Sequence, residues 1–281
     1  MRSHLLNRSV KVLLPALFGL VGCKVPVYDA DIQFVDRLVI NGMLVPGQQI
    51  TGIYVGKMLP VTTTPDPTDA EVHDATATIT VDGQAFPLTH AGSGLYGNST
   101  IVAVPGKTYG LTVEWNGLKA TAKTLVPFVP DSSTVTFTRT AHQFGQVSSI
   151  VIAHSGEVYG LTLIHGYRST TYDVMTHDYI PVQRLVRATE AGPDGKIDLV
   201  SGSISLALNE ISDTLWATVS ALDDQFYKYY YSSGNTSDFE NLVLGVPPGS
   251  PNWNVSGDGV GLFLGRAAGT KTIPLHITEP Y

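Results

Sequence analysis

The chain has 281 residues, a formal charge of −7, 43% hydrophobic and 15% charged residues. That balance suits a well-filled globular core and excludes a disordered chain, while the acidic surplus without any lysine–arginine run argues against nucleic acid as a partner. One cysteine rules out an intrachain disulfide, and 28 glycines and 17 prolines among abundant Thr and Val predict short strands joined by tight turns.

The opening MRSHLLNRSVK carries Arg2, Arg8 and Lys11 and no acid, and VLLPALFGLVG follows it. A basic start, a short apolar run and small residues at its end describe a signal peptide over residues 1–22. The run is too short to span a membrane, which takes about 20 apolar residues. Leu20-Val21-Gly22-Cys23 looks like a bacterial lipobox, with Leu20, Val21 and Gly22 recognised by the signal peptidase and Cys23 as the lipid attachment site. One acyl chain, at about 0.8 kcal/mol per buried CH₂, holds a membrane only marginally, so a diacylglyceryl thioether plus an amide-linked chain meets the need for durable anchoring. Cleavage leaves a mature chain of about 259 residues with a charge near −10. Residues 23–35 then read as a lipidated tether.

Residues 36–128 predict an immunoglobulin-like or transthyretin-like β-sandwich. RLVINGMLVPGQQITGIYVGKML offers two strands, with Asn41-Gly42 and Pro46-Gly47 as turns. TTTPDPTDAEVHD reads as an exposed loop. In ATATITVDG, Ala77, Ile79 and Val81 alternate with Thr76, Thr78 and Thr80, the period of a strand with one buried face. Asp82-Gly83, Pro105-Gly106 and Asn116-Gly117 are turns of a continuing meander, and Tyr109, Leu111 and Val113 share one side.

Residues 129–281 predict a second β-rich domain. Its strands are STVTFTRT, SSIVIA, VYGLTLIH, DYIPVQRLVRA, KIDLVSG, SISLALN, TLWATVSAL, VGLFLG and KTIPLHIT, with Pro193-Asp194-Gly195 turning into KIDLV. One helix is expected near residues 223–233, where Asp223 and Asp224 suit a helix N-terminus.

In this order and spacing, the lipobox cysteine, FVDRLVINGMLVPGQQI, DATATITVDG, SGLYG, PGKTYGLTVEWNG, DQFYKYYYSSGNTSDFENLV and NVSGDGVGLFLG resemble a family of Bacteroidota lipoproteins defined only as domain of unknown function 4249. Asp36 and Asn241 stand where that family often has proline. The resemblance implies an outer-membrane lipoprotein, often encoded beside a TonB-dependent receptor, and implies no activity.

No catalytic signature emerges. HExxH and G-x-S-x-G are absent, and Gly257-Asp258-Gly259-Val260-Gly261 lacks the strand–loop–helix setting of a phosphate loop. Asp194–Asp198 lacks the ligand spacing of an EF-hand. No metal site, cofactor or catalytic residue is therefore expected. The aromatic run Phe226–Tyr231 offers an aromatic platform, with Tyr227 and Tyr231 on one helical face, or else a helix packed on the sandwich. Trp253, in a loop, is a second candidate contact for a glycan, peptide or partner protein. Three functions stay open: an accessory binding or assembly subunit of a TonB-dependent uptake system, a lipid-anchored glycan or peptide hydrolase with a dispersed carboxylate pair, and a structural or adhesin-like module.

Overall fold

The computed structural model describes residues 34–60, 66–141, 144–168, 175–180, 184–205, 212–232 and 251–275. Leu20, Val21, Gly22, Cys23 and the tether through Gln33 lie outside them. The chain divides into Met1–Val35 and a compact unit, Asp36–Tyr281. That unit is mostly β, with one α-helix among the described residues, and none of its described helices is long and apolar enough to cross a membrane.

Seven strands come first: β1 (Leu38–Leu44), β2 (Gln49–Lys57), β3 (Thr76–Val81), β4 (Gln84–Gly92), β5 (Leu95–Val102), β6 (Thr108–Trp115) and β7 (Leu118–Leu125). Alternation decides their inner faces: Leu38, Ile40, Ala77, Ile79, Tyr109, Leu111 and Val113 are all buried in one core. Asp82-Gly83 and Asn116-Gly117 close hairpins with positive φ at both residues, and Ser93-Gly94 closes a third. β4 pairs with β3 over Gln84–Leu88 and with β5 over Thr89–Gly92. It thus turns the corner between two sheets that share the core, which makes this half a sandwich.

The second half adds β8 (Thr136–Ala141), β9 (Phe144–Ile152), β10 (Glu157–Arg168), β11 (Met175–Ile180), β12 (Val186–Arg187), β13 (Lys196–Val200), β14 (Ile204–Ser205) and β15 (Ser212–Asp223), then helix α1 (Gln225–Ser232), β16 (Val255–Gly257) and β17 (Gly259–Leu275). One sheet is β13–β9–β14 with β8 beside β9, and the other is β11–β10–β15–β17. Val147, Val151, Ile197 and Leu199 of the first meet Leu161, Leu163, Leu215 and Val219 of the second in a separate core.

Three sequence expectations need correcting. Asn41-Gly42 is not a turn. Both residues lie inside β1, where a Cβ on Gly42 would sit 3.1 Å from Phe263 and 3.2 Å from Ile53, so the glycine serves close packing. DYIPVQRLVRA is not one strand, because Arg184 and Leu185 lie in no strand between β11, which ends at Ile180, and the two-residue β12. VGLFLG and the KTIPL of KTIPLHIT belong to a single 17-residue strand, and the rest of that segment lies outside the described residues. β17 runs parallel to β1 over Gly259–Gly265 and antiparallel to β15 over Arg266–Leu275, so it serves both sandwiches.

This shared strand contributes to both cores. Val255 and Phe263 belong to the first core and Leu275 to the second. The chain between β7 and β8 crosses close against β17. A Cβ on Gly265 would collide with the Leu125 carbonyl, and one on Gly269 would lie 2.5 Å from the Pro130 carbonyl.

The two halves repeat one device. Tyr109 Oη accepts the Val104 N–H (2.9 Å) and faces the Val102 carbonyl (3.4 Å). Tyr159 Oη accepts the His154 N–H (2.8 Å) and faces the Ile152 carbonyl (3.1 Å). Each is a tyrosine corner reaching five and seven residues upstream, as in immunoglobulin-like sandwiches.

Candidate functional site

Two surface features and two buried carboxylates stand out among the described residues. The first feature is on the outer face of the β3–β6–β7–β16 sheet. Cross-strand register sets Thr78, Thr112, Thr121 and Ser256 in one row and Thr80, Gly110 and Lys123 in the next. Neighbouring strands lie about 4.8 Å apart, so these groups form a closely spaced array. Because Gly110 has no side chain, the second row dips between Thr80 and Lys123. The result is a groove of about 550 Å³ walled by Trp253, Asn254 and Gln225.

The wall is held firmly. Asn254 accepts the Phe263 N–H (2.8 Å) and donates to the Phe263 carbonyl (2.6 Å), tying the segment before β16 to β17. Trp253 is 41% exposed, with its ring 5.3 Å from Tyr229 at an angle of 32°. On the floor, Thr121 and Ser256 share a hydrogen bond (3.1 Å) and Thr80 donates to the Gly110 carbonyl (3.3 Å). The Thr112 hydroxyl and the Lys123 ammonium have no partner among the described residues.

The second feature is a notch of about 170 Å³ beside the crossing chain, where Phe128, Val129, Ile150 and Ile152 are all exposed, Ile152 by 68%. Glu157 and Tyr159 also line it. Glu157 is 1% exposed: Oε1 accepts the Phe128 N–H (2.9 Å) and Oε2 the Tyr159 hydroxyl (2.6 Å). Burial raises its pKa above the ordinary carboxylate value, and the two hydrogen bonds pull the other way. The same burial, with Glu157 alongside, raises that of Tyr159.

Asp223 stands opposite Glu157 in the β10–β15 ladder and is 5% exposed. Its Oδ2 accepts the Thr124 hydroxyl and the Leu125 N–H, both at 2.7 Å, and its Oδ1 the Gln225 N–H at 2.9 Å. Two buried acids side by side invite a catalytic reading, but both are engaged by groups at the crossing between the sandwiches. Their chemistry is that of a joint.

Of the candidates from sequence, α1 spans Gln225–Ser232, close to the expected 223–233. Asp223 belongs instead to β15, although it does take up the helix's first N–H. Tyr227 and Tyr231, with ring centroids 4.4 Å apart, pack with Phe226 and Tyr230 over Val158, Leu185 and Leu222. The Arg187 guanidinium covers Tyr227 at 5.2 Å while binding Asp224 through two hydrogen bonds of 2.6 and 2.5 Å. Burial raises the Tyr227 pKa. The helix is therefore packed on the sandwich, and the residue it presents to Trp253 is Tyr229. Sequence reasoning missed Gly110, Thr112 and Lys123. The Thr alternation was visible, but which strands are neighbours was not. Among the described residues no group of three His, Cys, Asp or Glu could hold a metal.

The family model for "Domain of unknown function (DUF4249)" matches residues 25–272. The chain belongs to that family. No curated protein matches this DUF4249 chain. Among solved structures it is similar to the FN1–FN3 domains of chicken CNTN1, at 13% identity and a TM-score of 0.32, with 66% of this chain and 62% of that one covered. The chain thus spans less than two thirds of that structure's length. A cytokine receptor complex is similar at 15% identity and a TM-score of 0.27, covering 66% and 89%. A maltotriose-bound pullulanase from Anoxybacillus sp. LM18-11 is similar at 13% and 0.23, covering 65% and 24%. These likenesses are distant, and the sandwich assignment rests on the strand pairing itself.

Proposed function

We propose that this DUF4249 protein is a lipid-anchored, non-enzymatic protein of the bacterial outer membrane, acting as an accessory binding or assembly subunit beside a TonB-dependent receptor. The observation that carries the reading is the apolar notch. Four large hydrophobic side chains stand exposed around one depression, beside the chain that crosses between the sandwiches, and such clusters on a folded surface mark protein contacts. The lipobox at Cys23 supports the location, and the family resemblance supports the partner. Glu157 and Asp223 are both engaged by groups at the joint, which argues against that pair as a hydrolytic site.

The test is co-purification from gently solubilised membranes through a C-terminal tag, comparing the wild type with Cys23→Ala and Ile152→Asp. A receptor that comes down with the wild type and is lost from both variants is expected. If the lipidated wild type comes down alone, the accessory-subunit reading is overturned.

A further inference from the structure

The groove beside Trp253 has a composition that partner docking does not call for. A protein interface centre is depleted in charge and rich in buried apolar anchors. Here one exposed indole rises at the edge of a floor of hydroxyls, with one amine and no carboxylate among the described lining residues. We propose that this groove is a carbohydrate-binding subsite: a pyranose ring stacks its C–H face on Trp253, and its hydroxyls bond to Thr112 and Lys123.

Each part follows from the geometry. A sugar ring is apolar on its faces and polar around its rim, so it needs an aromatic plane on one side and donors and acceptors at the edge. Trp253 supplies the plane, buttressed by Tyr229 at 5.3 Å. Thr112 keeps an uncommitted hydroxyl, able both to donate and to accept, on the groove floor. Lys123 supplies three N–H donors beside the Gly110 dip. Gly110 leaves room for the Thr80 hydroxyl to lean over it, 2.6 Å from where a Cβ would sit, so this part of the floor is lined by a hydroxyl instead of a larger side chain. The recognising groups stand on rigid strands and on a loop held by Asn254, so little ordering is needed when a sugar binds. Among the described lining residues Lys123 is the only charged group, and its ammonium favours sugars bearing a carboxylate over neutral ones.

The test uses the full-length lipidated protein in detergent against an immobilised panel of neutral and uronic-acid-containing oligosaccharides, followed by solution titration of any hit. Saturable binding is expected, at least 10-fold weaker in Trp253→Ala and at least 3-fold weaker in Thr112→Val, which keeps the shape and removes only the hydroxyl. Lys123→Gln should weaken the uronic-acid members more than the neutral ones. No saturable binding to any member overturns the proposal, as does binding that survives Trp253→Ala unchanged. Receptor co-purification, measured on the same preparations, separates this proposal from the accessory-subunit reading: the Trp253→Ala protein should keep the receptor, because the notch is intact.

Discussion

Replacing Asp223 by alanine removes one carboxylate and strands three donors. Their costs differ. The Thr124 hydroxyl already accepts the Gly265 N–H (2.6 Å) and lies 3.4 Å from the Leu125 carbonyl, so it can re-aim, and its loss is small. The Gln225 N–H is the first amide of a half-buried helix, where loss of a capping acceptor costs about 1 kcal/mol. The Leu125 N–H faces the carboxylate at 2.7 Å with β17 packed behind it; left unpaired, it costs about 1–3 kcal/mol. Together Asp223→Ala should lose about 3 kcal/mol. Asp223→Asn keeps Oδ1 for Gln225 but turns an NH₂ toward the Leu125 N–H, and should lose about 1–2 kcal/mol. Urea unfolding of the full chain, followed by far-ultraviolet circular dichroism, reads both through the midpoint at constant slope. An alanine variant within 1 kcal/mol of the wild type would show that water repairs the joint, and the reasoning would be refuted. An asparagine variant as damaged as alanine would show that charge, not hydrogen-bond count, holds it.

Glu157 gives a pH signature. Its pKa is raised on folding, so between the ordinary carboxylate value and the raised one the folded state binds more protons than the unfolded state, and stability falls as pH rises through that window. Glu157→Gln abolishes that slope, so its stability relative to the wild type should rise with pH; parallel curves from pH 4 to 8 would count against the assignment. Tyr109→Phe should cost about 1 kcal/mol and Tyr159→Phe about 2, since the latter also deprives Glu157 of a donor. Calorimetry on the two variants and their double mutant should show additivity within about 0.5 kcal/mol, because the tyrosines lie in different cores. Gly265→Ala should cost more than about 3 kcal/mol, because its methyl meets the backbone carbonyl of Leu125 rather than a movable side chain; soluble protein with wild-type stability would disprove that contact.

Much of this fold was legible in local pattern. Alternation placed Ala77, Ile79, Tyr109, Leu111 and Val113 on buried faces, and Asp-Gly and Asn-Gly pairs located hairpins. What local pattern hides is pairing between distant segments. Nothing around Gly259–Gly265 announces β1 as a parallel partner more than 200 residues earlier in the chain, and the Gly265–Gly269 stretch looks like a loop until the crossing chain is seen against it. One long-range signal was present: Gly106-Lys107-Thr108-Tyr109-Gly110-Leu111-Thr112 recurs as Gly156-Glu157-Val158-Tyr159-Gly160-Leu161-Thr162. Aligned, it names both tyrosine corners. It also exposes the divergence that matters, since Lys107 pairs with Asp82 at the surface whereas its counterpart Glu157 is buried at the joint.

The same comparison separates scaffold from site. Tyr109 and Tyr159 hold equivalent corners, and Gly110 and Gly160 follow them. Yet Gly160 faces Ser220 across the β10–β15 ladder, on a strand pair largely buried by its neighbours, while Gly110 faces Lys123 on an outer sheet face. Both halves contribute polar groups to the joint, Thr124 and Leu125 from the first and Glu157 and Asp223 from the second, while Thr112 and Lys123 stay outside it. A protein that had to hold only itself together would gain nothing from an exposed indole buttressed by a tyrosine at the edge of such a floor. On the β3–β6–β7–β16 face Thr80, Thr121 and Ser256 are committed to one another or to backbone, so it is the uncommitted Thr112 hydroxyl and Lys123 ammonium beside Trp253 that point binding there.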